Sequence, residues 1–325
     1  MDQRQVYLIQ SYHDNWQNYL DSIAGRATSP VWDLCVITAS NVDQAQAYRC
    51  QLEQRIEAGL LPSSTGFLVI PDPDGKRVGS GGATLNVLLE CYKSFLRNEK
   101  SHRNAFEGRR VLVIHSGGDC KRIPQYSAFG KLFSRVPREL PNGRPSTLFD
   151  ELFISLSALA AIMNEGVLIV SGDVLLLFDS KQLDFRRQGV IGVTCKARAS
   201  IGSNHGVYVE NPKNGRAKKF LHKASPAKLT AYGAVDESGH VNVDTGIVWL
   251  DPDVAKCLVS LVYSEDTEQE QAKVECLIND GVRLNLYGDF LFPLTEEATL
   301  EDYLKESTEG KDSTLLLEIR NELWR

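Results

Sequence analysis

Val111-Leu112-Val113-Ile114-His115-Ser116-Gly117-Gly118-Asp119-Cys120-Lys121-Arg122-Ile123-Pro124, followed shortly by Gly130-Lys131, is the stretch from which the fold is best predicted. Its first four residues are apolar, which is typical of a strand buried on both faces of a parallel sheet. The glycines let backbone N–H groups approach an anion closely, and basic side chains add positive charge. Lys121, Arg122 and Lys131 supply three cations within 11 positions, so the stretch indicates a phosphate-binding loop.

This loop does not match the Walker A phosphate motif. That motif requires Gly-x4-Gly-Lys-Ser/Thr, whereas Gln125 stands at the first glycine position and Leu132 follows Lys131. On the residues alone, the alternative is a solvated basic loop after a strand. A Gly-Gly pair taken by itself favours that alternative.

Length, composition and charge exclude several classes of protein. The 325 residues suit one large α/β domain or two smaller ones, and 42% hydrophobic with 24% charged residues is typical of a protein with an ordinary core. A net charge of −6 argues against nucleic-acid or membrane partners for the whole surface. The seven scattered cysteines lack a C-x-x-C pair and predict neither disulfides nor zinc. No run approaches 18 apolar residues and no signal segment is visible, so we predict a cytoplasmic protein.

Apolar runs that read as strands alternate with amphipathic patterns that read as helices. The predicted strands cover 32–38, 67–70, 111–114, 166–170, 190–195, 204–209 and 241–250. The predicted helices cover 3–24, 41–57, a segment after Gly82, and 148–163, 254–263 and 315–324. Ser40 or Asn41 is the predicted cap of the second helix, and Asn41 with Gln44 has capping-box spacing. This alternation predicts an α/β fold with a Rossmann-like, mixed but mainly parallel sheet flanked by helices.

A second glycine-rich run, Gly79-Ser80-Gly81-Gly82-Ala83-Thr84, opens the predicted helix that follows the second strand. A glycine-rich loop at a helix N-terminus is a ready anion site. A dinucleotide fingerprint would place Gly where Thr84 stands, so dinucleotide binding is disfavoured. By itself the run could equally be a tight crossing of two backbone segments.

The two glycine-rich motifs together resemble one family. The run at 79–84, a helix, a strand and then His115-x-Gly-Gly-x-x-x-Arg-x-Pro are similar to the L-fucose-1-phosphate guanylyltransferase family, over roughly Trp32 to Asp289. The resemblance implies a sugar-nucleotidyltransferase type of fold. It also implies a nucleotidyltransferase that makes GDP-L-fucose and pyrophosphate from GTP and L-fucose 1-phosphate with Mg²⁺.

The resemblance also implies roles for individual residues. The implied catalytic residues, which grip the phosphates, are Arg122, Lys131 and Lys121. The implied nucleotide-binding residues are Gly79, Gly81, Gly82, Ser116, Gly117 and Gly118.

A candidate metal ligand follows the strand at 166–170. Asp173 stands at the carboxyl end of that predicted strand, where an α/β sheet faces its ligand, and a carboxylate there can hold Mg²⁺. On sequence alone a capping Asp at a turn is an equal alternative. The resemblance implies a metal role for Asp173 and a second metal ligand, Asp289, on a late strand at 284–291. Asp244 is the alternative second ligand.

The resemblance implies that the sugar-phosphate site comprises Lys223, Asp244, His205 and Gly206. Lys223 matches the phosphate-contacting Lys of related pyrophosphorylases, although His222 and Ala224 replace the Glu and Pro that flank it there. Asp244 is placed on the sugar hydroxyls. For His205, a plain surface residue is the alternative.

We predict three segments: an N-terminal helical extension at 1–30, a nucleotidyltransferase domain at 31–295 and a C-terminal helical segment at 296–325. Nothing resembles the β-helix or fucokinase part that accompanies this module in the family, so a fragment or a short member is expected. Two alternatives to the fucose assignment stay open. One is a pyrophosphorylase for another nucleotide and sugar 1-phosphate, and the other is a nucleotide-binding module that is inactive alone.

Overall fold

The structure, a computed structural model, describes residues 3–98, 104–116, 126, 130–263, 281–306 and 314–325. Within these ranges, no helix has the length and apolar composition that crossing a bilayer requires. The predicted site residues Gly117, Gly118, Lys121 and Arg122 lie outside the described residues.

The first half of the chain alternates strands with helices. In order, its elements are α1 Gln3–Ile23, β1 Leu34–Ala39, α2 Val42–Glu57, β2 Gly66–Pro71, α3 Gly79–Asn98, β3 Arg110–His115, β4 Arg135–Glu139, β5 Pro145–Thr147, α4 Leu148–Leu156, α5 Leu159–Ile162 and β6 Gly166–Ser171. Short 3₁₀ turns occur at Pro73–Gly75 and, after β6, at Ser180–Gln182.

The second half is richer in strands. Its elements are β7 Val190–Arg198, α6 Ala199–Gly202, β8 Gly206–Glu210, β9 Ala217–His222, α7 Pro226–Ala231, β10 His240–Leu250, α8 Pro252–Ser260, a π-helical segment Leu286–Leu291, a 3₁₀ turn Phe292–Leu294, α9 Leu300–Lys305 and α10 Thr314–Trp324.

Eight strands form one mixed sheet in the order β2-β1-β3-β6-β10-β8-β9, with β7 also paired to β10. The pairs β1–β2, β1–β3 and β3–β6 are parallel. The pairs β8–β10 and β8–β9 are antiparallel. A separate two-stranded ribbon joins β4 to β5. The predicted α/β fold with a mainly parallel sheet is therefore confirmed.

The chain divides into two compact units. Unit 1 comprises Met1–Lys76, Glu90–Ile191 and Val248–Cys257, and unit 2 comprises Arg77–Leu89, Gly192–Ile247 and Leu258–Arg325. The boundaries predicted at 30 and 295 do not coincide with this division. Helix α1, predicted as an extension, belongs to unit 1, where the Tyr12 hydroxyl donates to Glu151 of α4 at 3.3 Å and Ser157 Oγ donates to Asn15 O at 3.1 Å.

The buried parallel strands form the core of unit 1. Every residue of β1 is buried, and the four apolar residues of β3 are at most 1% exposed. Burial of each such large side chain stabilises the folded state by roughly 1.5–3 kcal/mol. The predicted cap of α2 is confirmed, since the Asn41 side chain accepts a hydrogen bond from Gln44 N at 2.8 Å. This core sets the strand ends from which the candidate site is built.

Two predicted elements differ from the structure. The single helix predicted at 148–163 is broken into α4 and α5, because the Ser157 hydroxyl bonds the Ile154 carbonyl at 2.8 Å in competition with the helical pattern. The strand predicted at 284–291 is wrong. Its larger part is the π-helical segment, which begins where the Asn285 side chain accepts hydrogen bonds from Tyr287 N and Gly288 N. That strand is what the family resemblance implies.

Candidate active site

The candidate site in unit 1 begins where β3 and β6 end side by side. These strands are parallel, and His115 pairs with Ser171 at their carboxyl ends. In an open α/β sheet that edge is where ligands bind. Thr38 of the neighbouring β1 joins the edge, because its hydroxyl accepts a hydrogen bond from Ser116 N at 3.2 Å. The motif's first described residues are thus tied to the sheet.

The Asp173 backbone is placed by a close approach at Gly172. The Gly172 N–H donates to His115 O at 2.7 Å, and a Cβ on Gly172 would lie 2.5 Å from that oxygen. Only glycine fits there without displacing the strand ends. The Asp173 side chain is 37% exposed, and its Oδ1 accepts a hydrogen bond from the Ser171 hydroxyl at 2.7 Å. An oriented and accessible carboxylate results.

Lys131 is brought to the same carboxylate. Its Nζ lies 3.4 Å from Asp173 Oδ2. The preceding Gly130 has φ +74°, and a Cβ there would lie 1.8 Å from the Tyr48 hydroxyl, which explains the small residue before the lysine. On the other side, Leu132 is fully buried and its carbonyl accepts from Phe149 N at 2.7 Å. The structure therefore brings together two residues that sequence reasoning selected separately.

His115 is a neutral group at this edge. Burial lowers the pKa of His115 to about 4, so the ring carries no charge near pH 7. Its Nδ1 lies 3.4 Å from the Thr38 hydroxyl. Sequence reasoning gave Thr38 no role, and the only signal was its place at the end of a predicted strand. Together these groups fix the edge without adding charge to it.

The glycine-rich run in unit 2 makes a close backbone crossing. Gly79–Gly82 form the first turn of α3 rather than a preceding loop. A Cβ on Gly79, which has φ +78°, would lie 2.2 Å from Leu284 O, and the Gly81 N–H donates to that oxygen at 2.8 Å. The crossing that sequence reasoning left open is thus present. It occupies the Gly81 N–H that was expected to face a phosphate, while the nucleotide contacts of Gly79 and Gly82 stay predictions.

Unit 2 also brings together the residues predicted for the sugar phosphate. A Cβ on Gly206 would lie 3.4 Å from the Asp244 Cβ and 2.4 Å from the Phe220 ring, so the strand pair needs glycine there. Burial raises the pKa of Asp244 to about 6, and a hydrogen bond with Tyr287, the Gly246 N–H and the nearby His205 oppose the rise. The Asp244 Oδ1 atom is buried and has no hydrogen-bond partner among the residues that the structure describes.

Lys223 follows β9 in an unusual backbone conformation. Its φ is +46°, one of two positive values among the described non-glycine residues. Such a conformation costs of order 1–3 kcal/mol and is often found at functional sites. The Lys223 N–H donates to His205 O at 2.9 Å, which holds the residue at the end of the β8–β9 pair. The side chain is exposed and available to an anion.

Asp289 does not fit the metal role predicted for it. Its side chain is 1% exposed. Oδ1 accepts from Arg320 Nε at 2.8 Å and lies 2.8 Å from Nη2, while Oδ2 accepts from Asn285 N at 2.6 Å. Burial raises the pKa of this carboxyl, and the Asn285 N–H and Arg320 oppose the rise. Both oxygens are committed within unit 2, and a cation would have to displace Arg320.

Of the predicted ligands, Asp173 fits Mg²⁺ best. It is a hard oxygen donor and accessible, and within the described ranges it is held by one hydroxyl and one half-buried lysine. Asp244, the alternative second ligand, has one oxygen without a hydrogen-bond partner in the same ranges. No group of three or more His, Cys, Asp or Glu side chains in the described ranges is arranged to hold a metal ion by itself.

The fold and these residues define a class: an α/β protein whose parallel strands end in glycine turns, with a lysine and a carboxylate at their carboxyl edge. The sequence model of the fucose pyrophosphorylase domain matches residues 103–325. The chain belongs to the fucose pyrophosphorylase family.

Named relatives agree with this assignment. The chain is 30% identical over 326 residues to a Homo sapiens fucose-1-phosphate guanylyltransferase, which covers 92% of this chain and 51% of that protein. It is 32% identical over 260 residues to an Arabidopsis thaliana bifunctional fucokinase/GDP-fucose pyrophosphorylase, covering 72% of this chain and 25% of that protein. The chain therefore spans about half the length of the guanylyltransferase and about a quarter of the bifunctional protein.

Proposed function

We propose that this chain carries out the guanylyltransferase reaction named in its relatives: GTP and L-fucose 1-phosphate give GDP-L-fucose and pyrophosphate. The observation that carries the proposal is the contact between Lys131 and Asp173 at the carboxyl edge of β3 and β6. The family resemblance implies that Lys131 contacts phosphate and that Asp173 binds metal. The two residues are 42 positions apart in the sequence. GTP and Mg²⁺ binding and a cytoplasmic location are part of this proposal.

In the reaction, an oxygen of the sugar phosphate attacks the α-phosphorus of GTP. The bond to the β-phosphate oxygen breaks, and pyrophosphate leaves with that electron pair. The nucleophile is already an anion, so no general base is required. The task is to bring two polyanions together and to neutralise the developing charge. Bound Mg²⁺ would supply positive charge to phosphate oxygens.

Each unit contributes its own residues to this chemistry. In unit 1, Asp173 would hold the metal ion and Lys131 would turn from Asp173 to a phosphate. Arg122 and Lys121 of the same loop are proposed for the β- and γ-phosphates.

In unit 2, the exposed and strained Lys223 is proposed for the sugar phosphate. Asp244, with His205 and Gly206, is proposed for the sugar. Asp289 is not proposed as a metal ligand, because its oxygens are committed to Asn285 and Arg320.

The test is to incubate the purified chain with Mg²⁺, L-fucose 1-phosphate and each nucleoside triphosphate separately, and to measure pyrophosphate. Release with GTP alone supports the proposal, and Arg122→Ala should then abolish it. Release with a different triphosphate keeps the mechanism but rejects guanylyl transfer. No release with any triphosphate rejects activity for this chain alone.

The lengths of the relatives define a second candidate. Because two relatives are named as joined to a fucokinase, we also propose that this domain works beside a further domain, a fucokinase or a β-helix, in a longer protein. A chain that binds GTP without releasing pyrophosphate would favour that version.

A further inference from the structure

The Arg320–Asp289 pair in unit 2 has no part in the chemistry proposed above, yet it is the most thoroughly buried ion pair among the described residues. Both side chains are 1% exposed. Burying two charges is costly unless the geometry and the remaining hydrogen bonds are good. We therefore asked what this pair holds in place.

Arg320 joins three segments of unit 2. Besides Asp289, its guanidinium donates through Nη1 to Tyr303 O and Glu306 O, each at 2.9 Å. It also lies over the Tyr303 ring, 5.2 Å from the centroid. The Tyr303 hydroxyl in turn donates to Asp289 O. One side chain of α10 thus fixes the end of α9 and the π-helical segment.

The N-terminal end of the π-helical segment contacts the glycine turn, which is the first turn of α3 at Gly79–Gly82. Leu284 N donates to Val78 O at 2.9 Å, and Leu286 N donates to the Ser80 hydroxyl at 3.0 Å. The Gly81 N–H completes this crossing by donating to Leu284 O. Displacement of the π-helical segment would therefore also displace the first turn of α3.

The middle of the segment contacts Asp244. Tyr287 stacks on the Phe220 ring with centroids 5.2 Å apart and planes at 14°. Its hydroxyl interacts with the Asp244 carboxyl, and this interaction lowers the pKa of Asp244 and raises the pKa of Tyr287. Tyr287 is two residues from Asp289, so the carboxylate that Arg320 holds and the phenol that orients Asp244 belong to one turn.

We propose that Arg320, acting through Asp289, and Tyr287 are positioning residues for Asp244. The forked guanidinium fixes the π-helical segment, and the segment presents the Tyr287 hydroxyl to the carboxyl that is proposed to read the sugar. The inference rests on the proposed function, since Asp244 matters only if unit 2 binds the sugar phosphate. Asp289 is then a support for the site rather than a metal ligand.

Two conservative variants test this. Tyr287→Phe keeps the ring on Phe220 and removes only the hydroxyl. Arg320→Lys keeps the charge and removes the fork. We expect each to raise the KM for L-fucose 1-phosphate about tenfold, because a hydrogen bond to a charged or polarised carboxyl is lost or misplaced. The KM for GTP should stay within about twofold. An unchanged sugar-phosphate KM in Tyr287→Phe, or a parallel rise in both constants, overturns the proposal.

A control separates positioning from loss of stability. Leu229 is fully buried in the cluster formed with Val207, Val241 and other residues of unit 2, and Arg320, Tyr287 and Asp244 are not members of that cluster. Leu229→Ala should lower the unfolding midpoint as strongly as Arg320→Lys while leaving both KM values unchanged. If Leu229→Ala reproduces the sugar-specific effect, the role of Arg320 is only structural and the proposal fails.

A readout without substrate keeps this inference distinct from the proposed function. If the wild-type chain releases no pyrophosphate, the proposed function fails, and hydrogen exchange then decides about positioning. We expect the amides of Gly81, Leu284 and Leu286 to exchange at least about tenfold faster in Arg320→Lys, with the β8–β9 amides unchanged. Unchanged exchange at those three amides would overturn the positioning role of Arg320.

Discussion

Two ion pairs of similar chemistry behave in opposite ways in the two units. Lys131 and Asp173 are 22% and 37% exposed and lie 3.4 Å apart, whereas Arg320 and Asp289 are each 1% exposed and lie 2.8 Å apart. Exposed pairs contribute about 0–1 kcal/mol, whereas removing one partner of a buried pair costs about 3–5 kcal/mol. The difference indicates that the weakly held Asp173 carboxylate is available to a ligand. The strongly held Asp289 carboxylate instead supports the structure.

The largest expected effect concerns the buried Arg320–Asp289 pair. Arg320→Ala should lower the free energy of unfolding by about 3–5 kcal/mol, because the Asp289 carboxylate would stay buried without its partner. Denaturant unfolding of the purified variant measures this. The double variant Arg320→Ala/Asp289→Ala should recover part of the loss, and a loss below about 1 kcal/mol in the single variant would show that the pair is not buried in solution.

The next largest effect concerns Asp173 of the more exposed Lys131–Asp173 pair. Asp173→Asn should reduce pyrophosphate release by about 10² or more, because a charge that binds metal is removed, by analogy with single groups in oxyanion sites. Its unfolding midpoint should match the wild type, since the pair is exposed. Rates and midpoints are measured on the same preparation. Near wild-type turnover would remove Asp173 from the site.

A third carboxyl sharpens the comparison, because Asp244 is buried and its Oδ1 has no hydrogen-bond partner in the part of the chain that the structure describes. A folded-state pKa of about 6 means that ionisation costs stability as pH rises from about 4 through 6. In metal-free buffer, the stability of Asp244→Asn relative to wild type should therefore increase by about 3 kcal/mol between pH 4 and pH 8. The difference should be small at the acid end, where the wild-type carboxyl is protonated.

A matched control for that pH series is Asp236→Asn. Lys196 lowers the pKa of Asp236 to about 2, so this carboxyl keeps one charge state over the measured range. The difference between Asp236→Asn and wild type should therefore be independent of pH. A flat series for Asp244→Asn as well would mean that Asp244 has an ordinary pKa.

The smallest expected effect concerns Lys131. Lys131→Met should change the free energy of unfolding by less than about 1 kcal/mol, because the ammonium is partly exposed and the Asp173 carboxylate stays solvated without it. Calorimetry at neutral pH measures this. A loss as large as that of Arg320→Ala would erase the contrast between the two pairs.

Sequence reasoning succeeded where one residue or one short run decides the structure. The apolar runs at β1, β3 and β6, the Asn41 cap and the aspartate after Ser171-Gly172 each depend on local pattern. Strand pairing then brings Asp173 near Lys131 without any need to know the rest of the chain. The fold class and the proximity of Lys131 to Asp173 were predictable for this reason.

It failed where distant contacts override local pattern. The family resemblance implies a strand at 284–291, yet Asn285 and the Arg320–Asp289 pair hold most of this run as a π-helical segment. Gly79 and Gly81 suggest an anion loop, yet the backbone of Leu284 crosses them. Nothing in the local sequence shows that Arg320 is buried, since arginines are usually exposed. Leu286 and Ser80, which pair at the crossing, are 206 residues apart, and Arg320 and Asp289 are 31 apart, so neither contact carries a local signal.

The arrangement of unit 2 along the chain has a consequence for biosynthesis. The unit is assembled from three stretches, 77–89, 192–247 and 258–325, and Arg320 belongs to the last one. During translation the glycine turn and the β8–β9 strands emerge long before the helix that supplies Arg320, while domains generally fold as their residues leave the ribosome. The folding of unit 2 can therefore be completed only after residue 320 has been synthesised. Until then Asp289 lacks the Arg320 guanidinium that neutralises its charge. A ribosome stalled before that point would present an incomplete unit to chaperones.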